Sequence, residues 1–182
     1  DVLRPARANG RGVLVLVREY GRARAEGRRR VFDFYLSHAG RVNNWDLVDA
    51  SAPGIVGRHL PPGGGRRVLG KLARSESMWE RRIAMVSTLE HIRRGDLSNT
   101  MWLAERLLGD REDLMHKAVG WMLREAGKRD ERALEAFLER HAGAMARTML
   151  RYAIERMAAP RRRAWMKVSR RGGNWVFVVF AW

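Results

Sequence analysis

Apolar residues recur at helical spacing along most of the chain. Val31, Phe34, Tyr35 and His38 make one stripe, Ile83, Val86 and Ile92 a second, and Leu134, Phe137, Leu138 and His141 a third. The same spacing runs through Leu97, Met101, Ala104 and Leu108, through Leu114, Ala118 and Trp121, and through Met145, Met149, Tyr152 and Ala153. Helix punctuation agrees: Asn43 or Asn44 can cap a helix that begins at Trp45, and Ser75 or Ser77 can cap one that holds Trp79. Gly109 and Gly127 suit helix C-termini. The run Pro61-Pro62-Gly63-Gly64-Gly65 reads as a plain flexible loop, too short to separate two domains.

Roughly nine helical segments of one to four turns, joined by small turns, predict stacked helical hairpins in place of a single four-helix bundle. Trp45, Trp79 and Trp121 lie 34 and 42 residues apart, close to the ~40-residue period of HEAT-type repeats, although the units share little identity. The expected fold class is therefore all-α, an α-solenoid of HEAT-like antiparallel helix pairs occupying residues 1–159. From 160 to 182 the character changes. Arg161, Arg162, Arg163, Lys167, Arg170 and Arg171 come without an acidic residue, and Trp175 to Phe180 is an apolar run with the look of a strand or a sticky end. This basic, then apolar, tail suggests no function. The chain opens on Asp1, and Asp1 to Gly12 carries neither period, so N-terminal repeats are expected to be missing from it.

Charge narrows the partners. Lys and Arg number 36 against 20 Asp and Glu, a formal net charge of +16, which predicts a positive field and attraction to a polyanion. Nucleic acid comes first; an anionic membrane surface or a merely solvated exterior are the alternatives. The absence of cysteine excludes disulfides, zinc–cysteine sites and thiol catalysis. No run approaches the ~20 apolar residues that cross a bilayer, and Gly12 to Val17 is too short for a signal core. A monomer of the cytoplasm, with no cofactor and no metal, is the expectation.

Three segments hold candidate chemistry. In the first, Trp45 and Asp49 are four residues apart, which places an indole and a carboxylate on one helix surface. Pro53 then conflicts with the Asp49 carbonyl and offers no amide hydrogen, so the helix is expected to kink or end beside that acid. The plainer alternative makes Trp45 a core residue and Asp49 a solvated charge. In the second, Arg81 and Arg82 stand in the first turn of a helix, where cations oppose the macrodipole. A phosphate partner would account for them, and so would a carboxylate on Glu80 or on a neighbouring helix. In the third, Gly120 inside a helix costs ~1 kcal/mol against alanine, a cost offset by the close approach of another backbone or a ligand. Trp121 beside it belongs to the core or to a site.

The strings Asn43 to Gly57, Trp79 to Leu89, Asp113 to Lys128 and Arg147 to Glu155, in this order and spacing, resemble the DNA alkylation repair enzyme family, the AlkD-like DNA glycosylases, from about Gly12 to Met157. The resemblance implies a HEAT-like solenoid with a basic concave surface for duplex DNA, and excision of N3- or N7-alkylated purines without flipping the base out of the helix. By motif it puts the catalytic aspartate on Asp49, the paired site tryptophans on Trp45 and Trp121, and the DNA-contacting arginine on Arg82; the nearby cations Arg81 and Lys117 are expected to grip phosphates beside it. The sequence departs from the family in lacking most N-terminal helices, in the tail from Pro160, and at Ala146, where many relatives have proline.

The chemistry suits these residues. An N3- or N7-alkylated purine is already cationic, so its glycosidic bond breaks without a strong acid; one carboxylate then stabilises the charge that develops on the deoxyribose and guides water. Indoles attract the cationic base by ~0.5 to 2 kcal/mol. The rival reading is a noncatalytic solenoid that binds nucleic acid or an acidic protein.

Overall fold

The helical stripes become ten α-helices among the residues that the computed structural model describes, 10–168. They are α1 (Gly10–Arg22), α2 (Ala25–Ser37), α3 (Trp45–Ala52), α4 (Arg66–Ala73), α5 (Met78–Arg93), α6 (Ser98–Arg106), α7 (Asp113–Arg129), α8 (Glu131–His141), α9 (Arg147–Ala153) and α10 (Ala159–Lys167). A 3-10 turn at Ala39–Arg41 precedes α3 and a π-helical turn at Pro53–Gly57 follows it. No strand occurs among the described residues, and no helix among them is long and apolar enough to cross a membrane.

Packing follows chain order. The odd-numbered helices stack α1 on α3, α3 on α5, α5 on α7 and α7 on α9, while α2 lies on α1, α4 on α5, α6 between α5 and α7, and α8 on α7. Contacts confined to neighbours in the series are what stacked helix pairs make. The core runs through the odd series: Val48, Ile83, Met85, Val86, Met115, Val119, Met122, Leu123, Met149 and Leu150 are buried. Each such side chain contributes about 1.5–3 kcal/mol by leaving water, and the unbranched methionines fill the irregular gaps between helices.

Gly120 explains the tightest of these contacts. A Cβ built there would lie 2.5 Å from the Met149 carbonyl oxygen and 2.5 Å from the Tyr152 Cβ, so the missing side chain lets α9 approach α7. The expected offset for a helical glycine is thus a neighbouring backbone. Trp45 and Trp79 open α3 and α5, whereas Trp121 sits near the middle of α7; the three share the odd series but not one register.

Two sequence expectations are corrected, the stop at Gly127 and the plain loop at Pro61–Gly65. Gly127 does not end a helix: α7 runs on to Arg129, and Leu134 of α8 fills the space beside the glycine. The loop at Pro61–Gly65 is tied down. His91 Nε2 bonds the Leu60 carbonyl at 3.1 Å, the Asn99 amide donates to the Gly64 carbonyl at 2.9 Å and approaches His91 Nδ1 at 3.2 Å, and the Asp96 carboxylate accepts from the Gly63 N–H. The expected boundary at 159/160 falls at the start of α10. This helix packs on α9, with Trp165 and Met166 partly buried against the core and Arg161 paired with Glu131 and Glu135. The apolar run Trp175 to Phe180 lies outside the described residues.

Candidate active site

The site begins with an interrupted helix. Asn44 occupies the N-cap of α3 in extended conformation, without a side-chain bond. Ser51 donates to the Leu47 carbonyl one turn back at 2.6 Å and meets the Tyr35 hydroxyl at 2.8 Å, which fastens α3 to α2. Pro53 removes the next amide donor, and the chain widens into the π-helical turn instead of stopping. Gly57 at its end lies against the α5 backbone at Ser87. The expected kink therefore takes the form of one wide turn, and α3 presents Trp45 and Asp49 from a short, independently anchored segment.

Asp49 meets Arg82 across the α3–α5 contact. Arg82 Nε donates to one carboxylate oxygen at 3.0 Å and Nη2 to the other at 2.8 Å, while Nη1 donates to the Leu114 carbonyl at 2.7 Å. This is the fork-to-fork geometry that only arginine provides. The Arg82 side chain keeps 6% of its surface and Asp49 keeps 20%, so the pair is sheltered on the arginine side and open on the carboxylate side.

Arg82 also forms one wall of an open cleft of about 260 Å³, together with Trp45, Leu114, Lys117, Trp121, Arg124 and Tyr152. Trp45 is 55% exposed, which removes it from the core, and Trp121 is partly buried. Lys117 bonds Asp113 at 2.7 Å. That bond, with a second from Thr148, draws the Asp113 carboxyl below the usual carboxylate range, and the same bond pushes the Lys117 ammonium up. Lys117 is therefore firmly cationic at the rim. Arg124 pairs with Glu155 of the segment after α9.

The structure thus gathers Trp45, Arg82, Lys117 and Trp121 around one cleft; Asp49 is not among the residues that line it and is joined to it through Arg82. Arg81 stands apart. Its Nε and Nη2 donate to Asp110 at 2.7 and 3.2 Å, and its Nη1 to the Ser75 and Glu76 carbonyls at 2.9 and 2.8 Å. The first-turn arginines meet carboxylates of neighbouring segments, the ion-pair alternative, and neither grips a phosphate without giving up that partner. Two cations in the first turn of a helix call for an anion without saying which one, because the partners lie 33 and 29 residues away.

Sequence reasoning missed Arg124, Tyr152 and Leu114 in the cleft. Tyr152 appeared only as part of an apolar stripe. Its signal was available in the string Arg147 to Glu155, whose residues face α7 through Gly120. Among the described residues no cluster of three or more His, Asp or Glu is placed to hold a metal ion.

Compared with known proteins, the sequence model of the family described as DNA alkylation repair enzyme matches residues 12–157. No curated protein matches the chain.

Proposed function

The chain belongs to the DNA alkylation repair enzyme family, and from that premise we propose that it is a DNA glycosylase that excises cationic N3- or N7-alkylated purines from duplex DNA. The observation that carries this reading is the Asp49 carboxylate, oriented on both oxygens by Arg82 and keeping a fifth of its surface exposed, behind the Arg82 wall of a cleft flanked by Trp45 and Trp121. In the reaction the bond from C1′ to the purine nitrogen breaks and its electron pair stays on the base, which becomes neutral. Asp49 stabilises the positive charge left on the sugar. Water then adds at C1′ and gives up a proton, leaving an abasic site and a free alkylpurine.

The indoles would select for charge, since a ring face attracts a cationic base and not a neutral one. Lys117, once it exchanges Asp113 for phosphate, and the exposed Arg151, close enough to act on its charge, would supply the flanking backbone contacts.

One observation favours the rival reading of a noncatalytic DNA-binding scaffold: both Asp49 oxygens are already engaged. Release of 7-methylguanine from methylated DNA separates the two. Asp49→Asn is expected to lower the rate about 100-fold or more with duplex binding retained. Unchanged release would leave the scaffold standing.

A further inference from the structure

The cations around the cleft have counter-ions: Arg82 has Asp49, Lys117 has Asp113, and Arg124 has Glu155. The outer side of α4 does not. Arg66, Arg67, Lys71 and the capping Arg74 are exposed, α4 carries no acidic residue, and among the described residues none of the four has an ion-pair partner. Arg67, Lys71 and Arg74 recur at i, i+4 and i+7, which aligns them on one face over about 10 Å.

A second helix extends this face. On α6, the Arg106 guanidinium lies 4.2 Å from the centroid of the Trp102 ring, and Arg66 of α4 reaches the same ring at 5.4 Å. Gly70 lets α4 sit against the indole, since a Cβ there would lie 3.3 Å from the ring and 3.4 Å from Arg74 Nη1. The one acid of α6, Glu105, is taken by Arg140 and His141 of α8. Five cations and an aromatic plate thus gather on α4 and α6, whose single acid is engaged by α8, and their mutual repulsion is relieved by a polyanion. Neither α4 nor α6 contributes to the cleft.

We propose that the α4–α6 face is a second DNA-contacting surface, which takes the phosphate backbone of a duplex segment other than the one at the cleft. The chemistry favours a backbone over unstacked bases. The two guanidiniums already cover Trp102, so the indole is not a stacking platform; Arg106 gives one Nη1 hydrogen to the Trp102 carbonyl and Arg66 its Nε–H to Asn99, which leaves the other N–H donors for phosphate. Duplex DNA, with one negative charge per ~1.7 Å of axis, matches such a row.

Two measurements test this. In the Arg67→Glu/Lys71→Glu/Arg74→Glu variant, the slope of log binding constant against log salt is expected to fall by about 2 to 3. Wild-type protein held on one bead-bound duplex should capture a second, labelled duplex, and the variant should not. Release of 7-methylguanine from a short duplex should stay within twofold, which separates this proposal from the assignment of the cleft. Because the chain contains no cysteine, Lys71→Cys carrying a photo-crosslinker reads proximity to DNA directly, whether or not the triple variant folds. Crosslinking to unmodified duplex supports the proposal. Absence of crosslinking, equal capture by the variant, or binding of anionic phospholipid vesicles through this face without any DNA crosslink would overturn it.

Discussion

Asp49 and Arg82 illustrate how a single side chain acquires its role. Helical spacing already put Asp49 beside Trp45, because i and i+4 always share a face. What stands opposite was invisible in the sequence, so Arg82 read as a phosphate ligand, and the structure makes it the clamp that orients the acid. Removing the clamp would strand a mostly buried carboxylate. Arg82→Ala is expected to cost about 2 kcal/mol of stability, less than the ~3–5 of a fully buried pair because Asp49 keeps some exposure. Arg82→Lys should fall between, since lysine keeps the charge but loses the fork; urea unfolding of the three proteins checks the order. Trp45 makes the opposite prediction. At 55% exposure its replacement by alanine should change stability by no more than about 0.5 kcal/mol, while base release drops between about 2- and 30-fold, the equivalent of one cation–π contact. Equal loss of both would mean that Trp45 is structural.

Among the elements, those with a clean apolar stripe were legible, and those whose burial is supplied by neighbours were not. Helix α1 carries an unbroken run from Val13 to Val17, which has no period to read, and two of its residues, Leu14 and Val15, are exposed. Helices α4 and α10 are so basic that composition spoke louder than pattern. The contact of α7 with α9 rests on Gly120. Gly120→Ala should force these helices apart and lower stability by about 1–3 kcal/mol, and because Trp121 and Tyr152 line the cleft from the same two helices, base release should fall with it. Gly109→Ala is the control, as nothing lies within 4 Å of a Cβ at that position. A urea midpoint for Gly120→Ala equal to that of the control would show that α9 yields without cost.

For the molecule as a whole, pH bears on stability through two histidines. Burial pushes His91 below its ordinary 6.5, the Leu60 carbonyl opposing, and burial does the same to His59, which stacks 3.9 Å from Phe32. The folded state therefore binds fewer protons than the unfolded chain once the pH drops below about 6.5, so stability is complete above that value and declines beneath it, down to the lowered folded values. The urea midpoint should be lower at pH 5.5 than at pH 7.5; a level profile would mean that neither ring is desolvated. By itself the sequence determined the helical class, the basic character, a break in the helix at Pro53 and the neighbourhood of Trp45 and Asp49, because these depend on residue type and on separations within one or two turns. Tertiary structure alone decided that Arg82 clamps Asp49, that Arg81 is spent on Asp110, that Tyr152 and Arg124 enter the cleft, and that His91 and Asn99 fasten the glycine loop. Each of those is a pairing between elements roughly thirty residues apart, and the distance between two helices is set by how their faces pack, which no local pattern encodes.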